Sequence, residues 1–307
     1  MTYDVVVAGA GLAGLTAGLY TARFGLRTLV VEQLMPGGQV MNLERIENFP
    51  GFPDGISGAE LGPTVLQQVE AAGGELAMDT IVSLDRVGDG PRSEFELRCE
   101  SDTFRTRSVI VATGSSRRTL GVPGEAEFTG RGVSQCAACD GHFFAGKRVL
   151  VVGGGDSALD EARVLVDSGV KEVLVAHRGP RVTAQRIIAD RAEASNAIRT
   201  LADTELVEVR GDGKVTGALL RQKETERSEA VDGVFVFAGL EPNTGWLGGL
   251  VDLDPAGHIV TDISLATSVP GVFAAGDVRQ FSAAQLAASA GDGATAAVSA
   301  VRHLEGA

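Results

Sequence analysis

Short, almost unbroken apolar runs recur along the chain, and several of them lead directly into glycine. Runs of this kind, rich in valine and bounded by turn residues, are typical of strands buried on both faces of a parallel sheet. Helical runs separate several of them. The pattern predicts an α/β protein with strands at Tyr3–Ala8, Arg27–Val31, Val109–Ala112, Arg148–Val152, Glu172–Ala176, Val234–Ala238 and Gly271–Val278. Three further strands are predicted at Glu75–Leu84, Glu94–Cys99 and Thr103–Arg107.

The first apolar run opens a unit in the order strand, glycine turn, helix, strand, acid. Its segments are Tyr3–Ala8, Gly9–Gly14, Leu15–Phe24, Arg27–Val31 and Glu32. Glycines at 9, 11 and 14 allow a tight turn and let a pyrophosphate approach the helix N-terminus, while Glu32 can accept hydrogen bonds from ribose hydroxyls. A lone glycine motif also occurs as an ordinary turn, but with its flanking elements it predicts a dinucleotide site.

A second unit of the same kind begins in the middle of the chain. Its segments are Arg148–Val152, the turn Gly153–Ala158, the helix Leu159–Asp167 and Glu172–Ala176. The turn reads G-x-G-x-x-A and makes Gly153, Gly155, Asp156 and Ser157 candidate nucleotide contacts. The chain therefore contains an internal repeat of two nucleotide-binding units.

The two units differ in the residues that close them. Glu32 closes the first, whereas His177 and Arg178 close the second, with Arg181 and Arg186 shortly after. A carboxylate here would repel a 2′-phosphate, and an arginine can bind it through two hydrogen bonds. The second unit is therefore expected to prefer NADPH to NADH. The alternative is an ordinary solvated basic turn.

The order of these segments predicts a discontinuous first domain. After Thr113-Gly114 the chain leaves the first unit, and it returns with the Gly271–Val278 strand and an alanine-rich helix from about Ala283 to Leu304. We expect two Rossmann-like, three-layer ββα domains, with the second inserted into the first. Residues 1–115 and 247–307 form one domain, and residues 116–246 form the other.

Composition and charge restrict the partners and the compartment. The chain has 307 residues, 44% apolar residues and a net charge of −13, which argues against binding to nucleic acid or anionic membranes. None of its apolar runs approaches the length of a membrane span. Because Tyr3–Ala8 reads as a strand and not as a signal peptide, we expect a cytoplasmic protein.

The stretch Gln135–Gly141 carries the candidate chemistry. Cys136 and Cys139, separated by two residues and followed by Asp140, could form a disulfide, hold a metal or carry out thiol–disulfide exchange. A structural zinc site needs four ligands, and Cys99 and the four histidines offer no second pair, so we expect no metal. A protein that only binds nucleotides would leave the cysteine pair idle. Cys99 is expected to be structural.

Together these motifs resemble the low-molecular-weight thioredoxin reductases over essentially the whole chain. The residues that carry the resemblance are Gly9–Gly14, Gly37–Gln39, Glu47–Gly51, Ala112–Gly114, Cys136–Gly141, Gly153–Ala158, His177-Arg178 and Gly276-Asp277. The resemblance implies a homodimeric enzyme that passes electrons from NADPH through FAD and a Cys136–Cys139 disulfide to thioredoxin or a thioredoxin-like protein. Asp140 would act as the acid.

The resemblance also assigns cofactor contacts. For FAD it implies contacts from Gly9, Gly11, Gly14, Glu32, Gln33, Gly38, Gln39, Asn48, Asp277 and Gln285. For NADPH it implies contacts from Gly153, Gly155, Asp156, Ser157, His177, Arg178 and Arg181. Within the first set, Asp277 would meet the ribitol, and Gln285 would lie against the flavin ring. Cys139 would be the sulfur next to the flavin, and Cys136 the thiol that attacks the partner.

The chain departs from the family pattern at four places. Gly179 and Pro180 separate Arg178 from the next arginine, and Thr183 stands where a further arginine is usual. Ala284 replaces the arginine before Gln285, and His142 replaces an aromatic residue. The same scaffold could instead act as a dithiol oxidase on a small molecule, or take its electrons from ferredoxin.

Overall fold

In the computed structural model of the protein, the two glycine turns belong to separate α/β units. The structure describes residues 2–88, 90 and 93–306. The first unit contains residues 1–116 and 241–307, and the second contains residues 117–240. The predicted fold class, two Rossmann-like domains with the second inserted into the first, is confirmed.

The bounds of the elements are as follows. The strands are β1 (Thr2–Ala8), β2 (Thr28–Glu32), β3 (Glu75–Met78), β4 (Ile81–Val87), β5 (Glu94–Cys99), β6 (Thr103–Val111), β7 (Ser115–Arg117), β8 (Val133–Ser134), β9 (Arg148–Val152), β10 (Glu172–Ala176), β11 (Ile198–Leu201), β12 (Thr204–Asp212), β13 (Lys214–Gln222), β14 (Thr225–Glu229), β15 (Gly233–Val236), β16 (Leu240–Pro242) and β17 (Val272–Ala274). The helices are α1 (Leu12–Arg23), α2 (Gly58–Ala71), α3 (Glu125–Phe128), α4 (Ala137–Asp140), α5 (Asp156–Asp167), α6 (Arg186–Glu193) and α7 (Leu286–Glu305). Short 3₁₀ turns cover Gly38–Asn42, Gly141–Phe144, Gly245–Leu247 and Gly276–Val278.

The sheet of the first unit has parallel strands in the order β3-β2-β1-β6, and β17 pairs with the end of β6. The antiparallel strands β5 and β4 continue it on the other side. Along β1, Val5 and Val7 join the core under the helices, while Val6 joins the core on the opposite face. Burial on both faces explains why the run is apolar without alternation.

The second unit repeats this plan. Its parallel sheet has the order β11-β10-β9-β15-β8, and the antiparallel strands β12, β13 and β14 form a separate sheet beside it. Leu150 and Leu174 face one core, while Val149 and Val151 face the other. Both units therefore contain antiparallel strands besides their parallel ones. The sequence pattern did not predict the antiparallel strands of the second unit. No described helix is both long and apolar enough to cross a bilayer.

The C-terminal helix returns to the first unit and packs on its first helix. Gly293 of α7 lies so close to α1 that a Cβ there would stand 2.2 Å from the Ala13 carbonyl oxygen. Only glycine allows backbones to approach this closely. This close approach lets apolar residues from both ends of the chain pack in one core.

Several predicted boundaries differ from the structure, among them the following three. Predicted strand Glu75–Leu84 is two strands, β3 and β4, because the Asp79 carboxylate accepts backbone hydrogen bonds from Thr80, Ser101 and Asp102 and turns the chain. The segments predicted at Thr103–Arg107 and Val109–Ala112 form the single strand β6. The chain re-enters the first unit at residue 241, earlier than the predicted 247.

The earlier re-entry has a structural cause. Asn243 donates its backbone N–H to the Gly114 carbonyl at 3.0 Å and its side-chain amide to the Thr113 carbonyl at 2.9 Å. The Thr113 hydroxyl donates back to the Asn243 carbonyl at 2.8 Å. Trp246 packs at the edge of the first unit's core. Residues 241–246 therefore fold with the first unit.

Candidate active site

The first glycine turn connects β1 to α1 through backbone contacts that exclude side chains. Gly9 has φ +101°, and a Cβ on it would lie 2.4 Å from the Ala112 carbonyl oxygen. A Cβ on Gly14 would lie 1.9 Å from the Gly9 carbonyl oxygen. The first and third glycines are thus required by the fold itself, as expected for a turn that presses a helix onto its strand.

Gly11, the middle glycine, differs from Gly9 and Gly14 because a Cβ on it would meet no close backbone atoms. It is the N-cap of α1 without a side-chain cap, its φ is −66°, and no atom lies within 4 Å of where its Cβ would stand. The structure therefore leaves open space at the N-terminus of α1, which a Cβ would fill. Gly38 lies alongside, since a Cβ on it would stand 3.2 Å from the Gly11 Cα. This cradle fits the phosphates of a dinucleotide.

Glu32 is held beside the turn by backbone hydrogen bonds. Its Oε2 accepts from the Ala10 N–H at 2.7 Å, and its Oε1 accepts from the Leu34 N–H at 3.1 Å. A carboxylate has about four lone-pair sites, so both oxygens keep capacity for ribose hydroxyls. Gln33, the next residue, is exposed at the same end of β2.

The structure brings the predicted flavin contacts into two groups. The Asn48 side-chain amide donates to Oε1 of Gln285 at 3.1 Å, across 237 residues of chain. The Gln39 side-chain amide donates to the Ser115 carbonyl. The Ser115 hydroxyl in turn donates to the Asp277 carbonyl at 2.9 Å. Ser115 was missed because a serine after a strand carries no specific signal.

A half-buried ion pair supports the Gly276-Asp277 turn. Arg279 binds both carboxylate oxygens of Asp292, at 2.6 and 2.9 Å, and Oδ2 of Asp292 also accepts the Gly276 N–H at 3.0 Å. Sequence reasoning missed this pair, although an aspartate flanked by glycines in an alanine-rich helix is a usable signal. The pair orients the turn that carries Asp277.

Two of the departures from the family pattern, Ala284 and His142, are exposed residues. Ala284 has φ +50° and precedes Gln285, the N-cap of α7, while nearby Phe281 has φ +59° and is 88% exposed. Positive φ strains a residue that has a Cβ. His142 stacks on Phe143 with ring centroids 3.9 Å apart.

The second glycine turn repeats the geometry of the first. Gly153 has φ +144°, and a Cβ on it would lie 2.4 Å from the Phe237 carbonyl oxygen. Gly155 caps α5, and the nearest atom to its Cβ position is the Thr183 Oγ1 at 3.9 Å. Open space at a helix N-terminus again fits a phosphate group. Ser157 is exposed in the first turn of α5.

The loop after β10 folds back over this second turn. Asp156 accepts both the backbone and side-chain N–H groups of Gln185, each at 2.7 Å. Thr183 donates its N–H to the Gly154 carbonyl at 2.7 Å, and its hydroxyl donates there at 3.2 Å. Thr183 stands where the family usually has an arginine, and its two hydrogen bonds anchor the loop to the glycine turn. Asp156 likewise already has a partner within the protein.

His177 and the arginines have contrasting environments. His177 is 6% exposed, and its Nδ1 is buried with no hydrogen-bond partner among the described residues. Such an orphaned polar atom is costly unless a ligand or water satisfies it. Arg178 and Arg181 are exposed, so their guanidinium groups remain accessible to an anion.

Cys136 and Cys139 form a disulfide at the start of α4, with Cα atoms 5.3 Å apart. Cys136 is the N-cap, and its Sγ accepts the Cys139 N–H at 3.2 Å. Cys136 is half-buried and Cys139 is exposed. The described residues contain no group of three or more His, Cys, Asp or Glu side chains that could hold a metal ion.

Ser134 links Asp140 to the disulfide. Its hydroxyl donates to Oδ2 of Asp140 at 2.6 Å, while the Cys136 N–H donates to the same hydroxyl at 3.1 Å. The Asp140 side chain is half-buried. The arrangement holds a carboxyl group next to the redox pair, where it can move a proton. Sequence reasoning did not single out Ser134.

Cys99 lies at the end of β5, in the first unit. Burial, together with the negative charges of Asp79 and Asp102, raises the pKa of its thiol to about 12. At pH 8 a thiol with that pKa is ionised in only about one molecule in ten thousand, and the thiolate is the reactive form. We expect iodoacetamide to modify the two cysteines of the reduced disulfide and to spare Cys99, as counted by intact mass. Rapid modification of a third cysteine, lost in Cys99→Ser, would contradict this.

The whole chain is similar to known proteins. Residues 3–294 match the pyridine nucleotide-disulphide oxidoreductase family. The chain belongs to this family. A thioredoxin reductase from Listeria monocytogenes is 43% identical over 99% of this chain and 94% of that protein.

Solved structures extend the similarity to the fold. The Lactococcus lactis thioredoxin reductase, solved in the FR conformation, has a TM-score of 0.95 at 38% identity and covers 100% of both chains. The T. acidophilum thioredoxin reductase has a TM-score of 0.91 at 34% identity and covers 97% of both. The resemblance to low-molecular-weight thioredoxin reductases is thereby confirmed. Membership of the pyridine nucleotide-disulphide oxidoreductases implies a flavin and a nicotinamide cofactor.

Proposed function

We propose that the protein is a thioredoxin-disulfide reductase that uses NADPH and FAD. The observation that carries the proposal is the Cys136–Cys139 disulfide, with Asp140 bound through Ser134, in the unit that also contains the second glycine turn. The full-length similarity to thioredoxin reductases supports the same activity.

FAD is assigned to the first unit. Gly9, Gly11 and Gly14 would shape the pyrophosphate cradle, and Glu32 would bind the ribose. The remaining proposed contacts are Gln33, Gly38, Gln39, Asn48, Asp277 and Gln285. When bound, NADPH would supply the two electrons that reduction of the disulfide consumes, and FAD would relay them. The open space at Gly11 and the backbone-held carboxylate of Glu32 support this assignment.

NADPH is assigned to the second unit. Gly153 and Gly155 would shape its cradle, and Arg178 and Arg181 would bind the 2′-phosphate. The remaining proposed contacts are Asp156, Ser157 and His177. The free space at Gly155, the orphaned Nδ1 of His177 and the exposed arginines support this assignment.

The protein's own residues then exchange disulfides. With two electrons and two protons, the Cys136–Cys139 bond opens to two thiols. One thiolate attacks the partner's disulfide, forming a mixed disulfide and releasing a partner thiolate. The second cysteine attacks the mixed bond, which restores Cys136–Cys139 and frees the reduced partner. Asp140 would carry protons to and from these sulfurs.

The activity is tested with the purified, flavin-loaded protein. Under anaerobic conditions NADPH should bleach the flavin, and with a bacterial thioredoxin it should drive continuous NADPH oxidation. No bleaching by NADPH, with reduction of the flavin by a small dithiol instead, would favour a dithiol oxidase acting on a small molecule. Reduction by ferredoxin but not by NADPH would favour the ferredoxin-dependent alternative, which the substitution of Thr183 for an arginine keeps open.

The proposal includes the assembly and the compartment. We infer a homodimer, by similarity to the thioredoxin reductases, and a cytoplasmic enzyme, because its substrate NADPH is a cytoplasmic reductant. Light scattering of the holoenzyme measures the assembly directly. A monomer that turns over at full rate would contradict the dimer.

Arg178→Ala is expected to weaken the preference for NADPH. A charged hydrogen bond contributes roughly 1.5–3 kcal/mol, so losing it should lower kcat/KM for NADPH about tenfold or more and leave kcat/KM for NADH unchanged. Arg199→Ala, at an exposed arginine on β11, is the control and should change neither value. Equal use of both nucleotides by the wild type would mean that the basic turn is only a solvated loop.

A further inference from the structure

A buried carboxylate on α5 contacts the turn that carries the disulfide. Glu161 is 8% exposed, and its Oε2 accepts the backbone N–H of Ala137 at 2.7 Å. Ala137 follows Cys136 directly and is fully buried. The position of Cys136 is therefore tied to α5 by a short hydrogen bond to a charged acceptor, which is stronger than a neutral one.

Arg117 compensates the charge of Glu161. Its Nη2 lies 3.3 Å from the Glu161 Oε1, and its guanidinium stacks over the Phe237 ring at 4.9 Å. The Arg117 Nη1 is buried without a partner among the described groups. Holding the Glu161 carboxylate out of water costs desolvation energy, and removing either partner leaves the other charge uncompensated. Such a pair is weak evidence for a stabilising role, and the hydrogen bond to Ala137 favours a role at the turn that carries Cys136.

The position of Glu161 on its helix supports that role. The neighbouring buried residues of α5 are apolar, among them Ala158, Leu159 and Leu165. A carboxylate on such a face is unfavourable unless it is bound by partners, and here its partners are Ala137 and Arg117.

We propose that Glu161 is a positioning residue for the redox disulfide. Its carboxylate fixes the turn between Cys136 and Cys139 through Ala137, and its pairing with Arg117 sets the charge at the base of that turn. The inference rests on the proposed redox role of the cysteine pair and deepens it. The proposal adds Glu161 and Arg117, which set the local charge, to a site in which Asp140 is the proposed proton carrier.

The charge balance makes opposite predictions for the two partners. The charged or titratable groups on the elements around Cys136 are Asp140 on α4, His142 on the following 3₁₀ turn, Glu161 on α5 and Arg117. Glu161→Gln keeps an oxygen acceptor but leaves Arg117 uncompensated, so the pKa of the Cys136 thiol should fall by about one unit. Arg117→Met should raise it by a similar amount. The double variant should return it close to the wild-type value.

The experiment measures the rate of iodoacetamide alkylation of Cys136 against pH, with Cys139→Ser in every variant to leave a single redox thiol. Asp167→Asn removes an exposed carboxylate from the same helix and is the matched control. Flavin content and Tm verify that each variant is folded. If Glu161→Gln is poorly folded, the Arg117→Met arm still tests the sign of the effect.

The expected result is opposite shifts for the two single variants, cancellation in the double variant and no shift in Asp167→Asn. Shifts of the same sign, or none larger than that of Asp167→Asn, would overturn the proposal. The measurement needs neither NADPH nor a partner protein. Failure of the wild type to reduce thioredoxin would therefore reject the proposed function without altering this test.

Discussion

Replacing either Cys136 or Cys139 with serine is expected to reduce NADPH-dependent thioredoxin reduction to the level of a reaction without enzyme. A single thiol cannot close the disulfide that stores the two electrons, and the described chain offers no substitute because the remaining cysteine, Cys99, has a pKa of about 12. The measurement is steady-state NADPH oxidation with thioredoxin. Cys99→Ser is the matched control and should keep full activity.

The same two variants separate the roles of the cysteines. The family resemblance makes Cys136 the thiol that attacks the partner, so Cys139→Ser should form a mixed disulfide with a thioredoxin that lacks its resolving cysteine. Cys136→Ser should not. Trapping by Cys136→Ser alone would reverse the two roles. Full activity in either variant would show that the disulfide is not the active site.

Gly11→Ala is expected to give a folded protein that binds FAD poorly. The φ of −66° suits alanine, and no protein atom lies within 4 Å of the new Cβ, so folding should be undisturbed. The methyl group would instead occupy the space proposed for the pyrophosphate. Losing one or two charged hydrogen bonds at roughly 1.5–3 kcal/mol each should weaken FAD binding about tenfold to a thousandfold or more. Flavin content and titration of apoprotein with FAD measure the effect.

Gly291→Ala is the control for this substitution. Gly291 lies on an exposed position of α7 with no atom within 4 Å of its Cβ position, so alanine there should leave FAD binding unchanged and slightly raise Tm. Gly14→Ala, by contrast, should impair folding because its Cβ would lie 1.9 Å from a carbonyl oxygen. Normal FAD affinity in Gly11→Ala would reject the proposed cradle.

The strands that carry the two glycine turns could be predicted closely. Arg148–Val152 and Glu172–Ala176 have the predicted bounds, and Tyr3–Ala8 differs from β1 by one residue. These strands are buried on both faces, so each of them appears in the sequence as a run of consecutive apolar residues. The glycines that follow them are also local signals, because a positive φ or a close backbone approach requires glycine whatever the distant surroundings.

The antiparallel strands were harder to predict. The meander β12–β14 in the second unit was not predicted, and β6 was divided into two segments. Such strands have one solvated face, and here their alternation is blurred by bulges, such as the register shifts in the β12–β13 pair. When the alternation of apolar and polar residues is weak, the ends of a strand cannot be predicted precisely.

The sequence by itself determined the chemistry: two dinucleotide turns and a pair of cysteines next to an acid, each within a few consecutive residues. Only the tertiary structure decided what surrounds that pair. Ala137 and Glu161 are 24 residues apart, and Arg117 and Glu161 are 44 apart. No local sequence pattern identifies the partner of a buried carboxylate. Its partner is set by which helix packs beneath the turn, and that packing is known only once the core has formed.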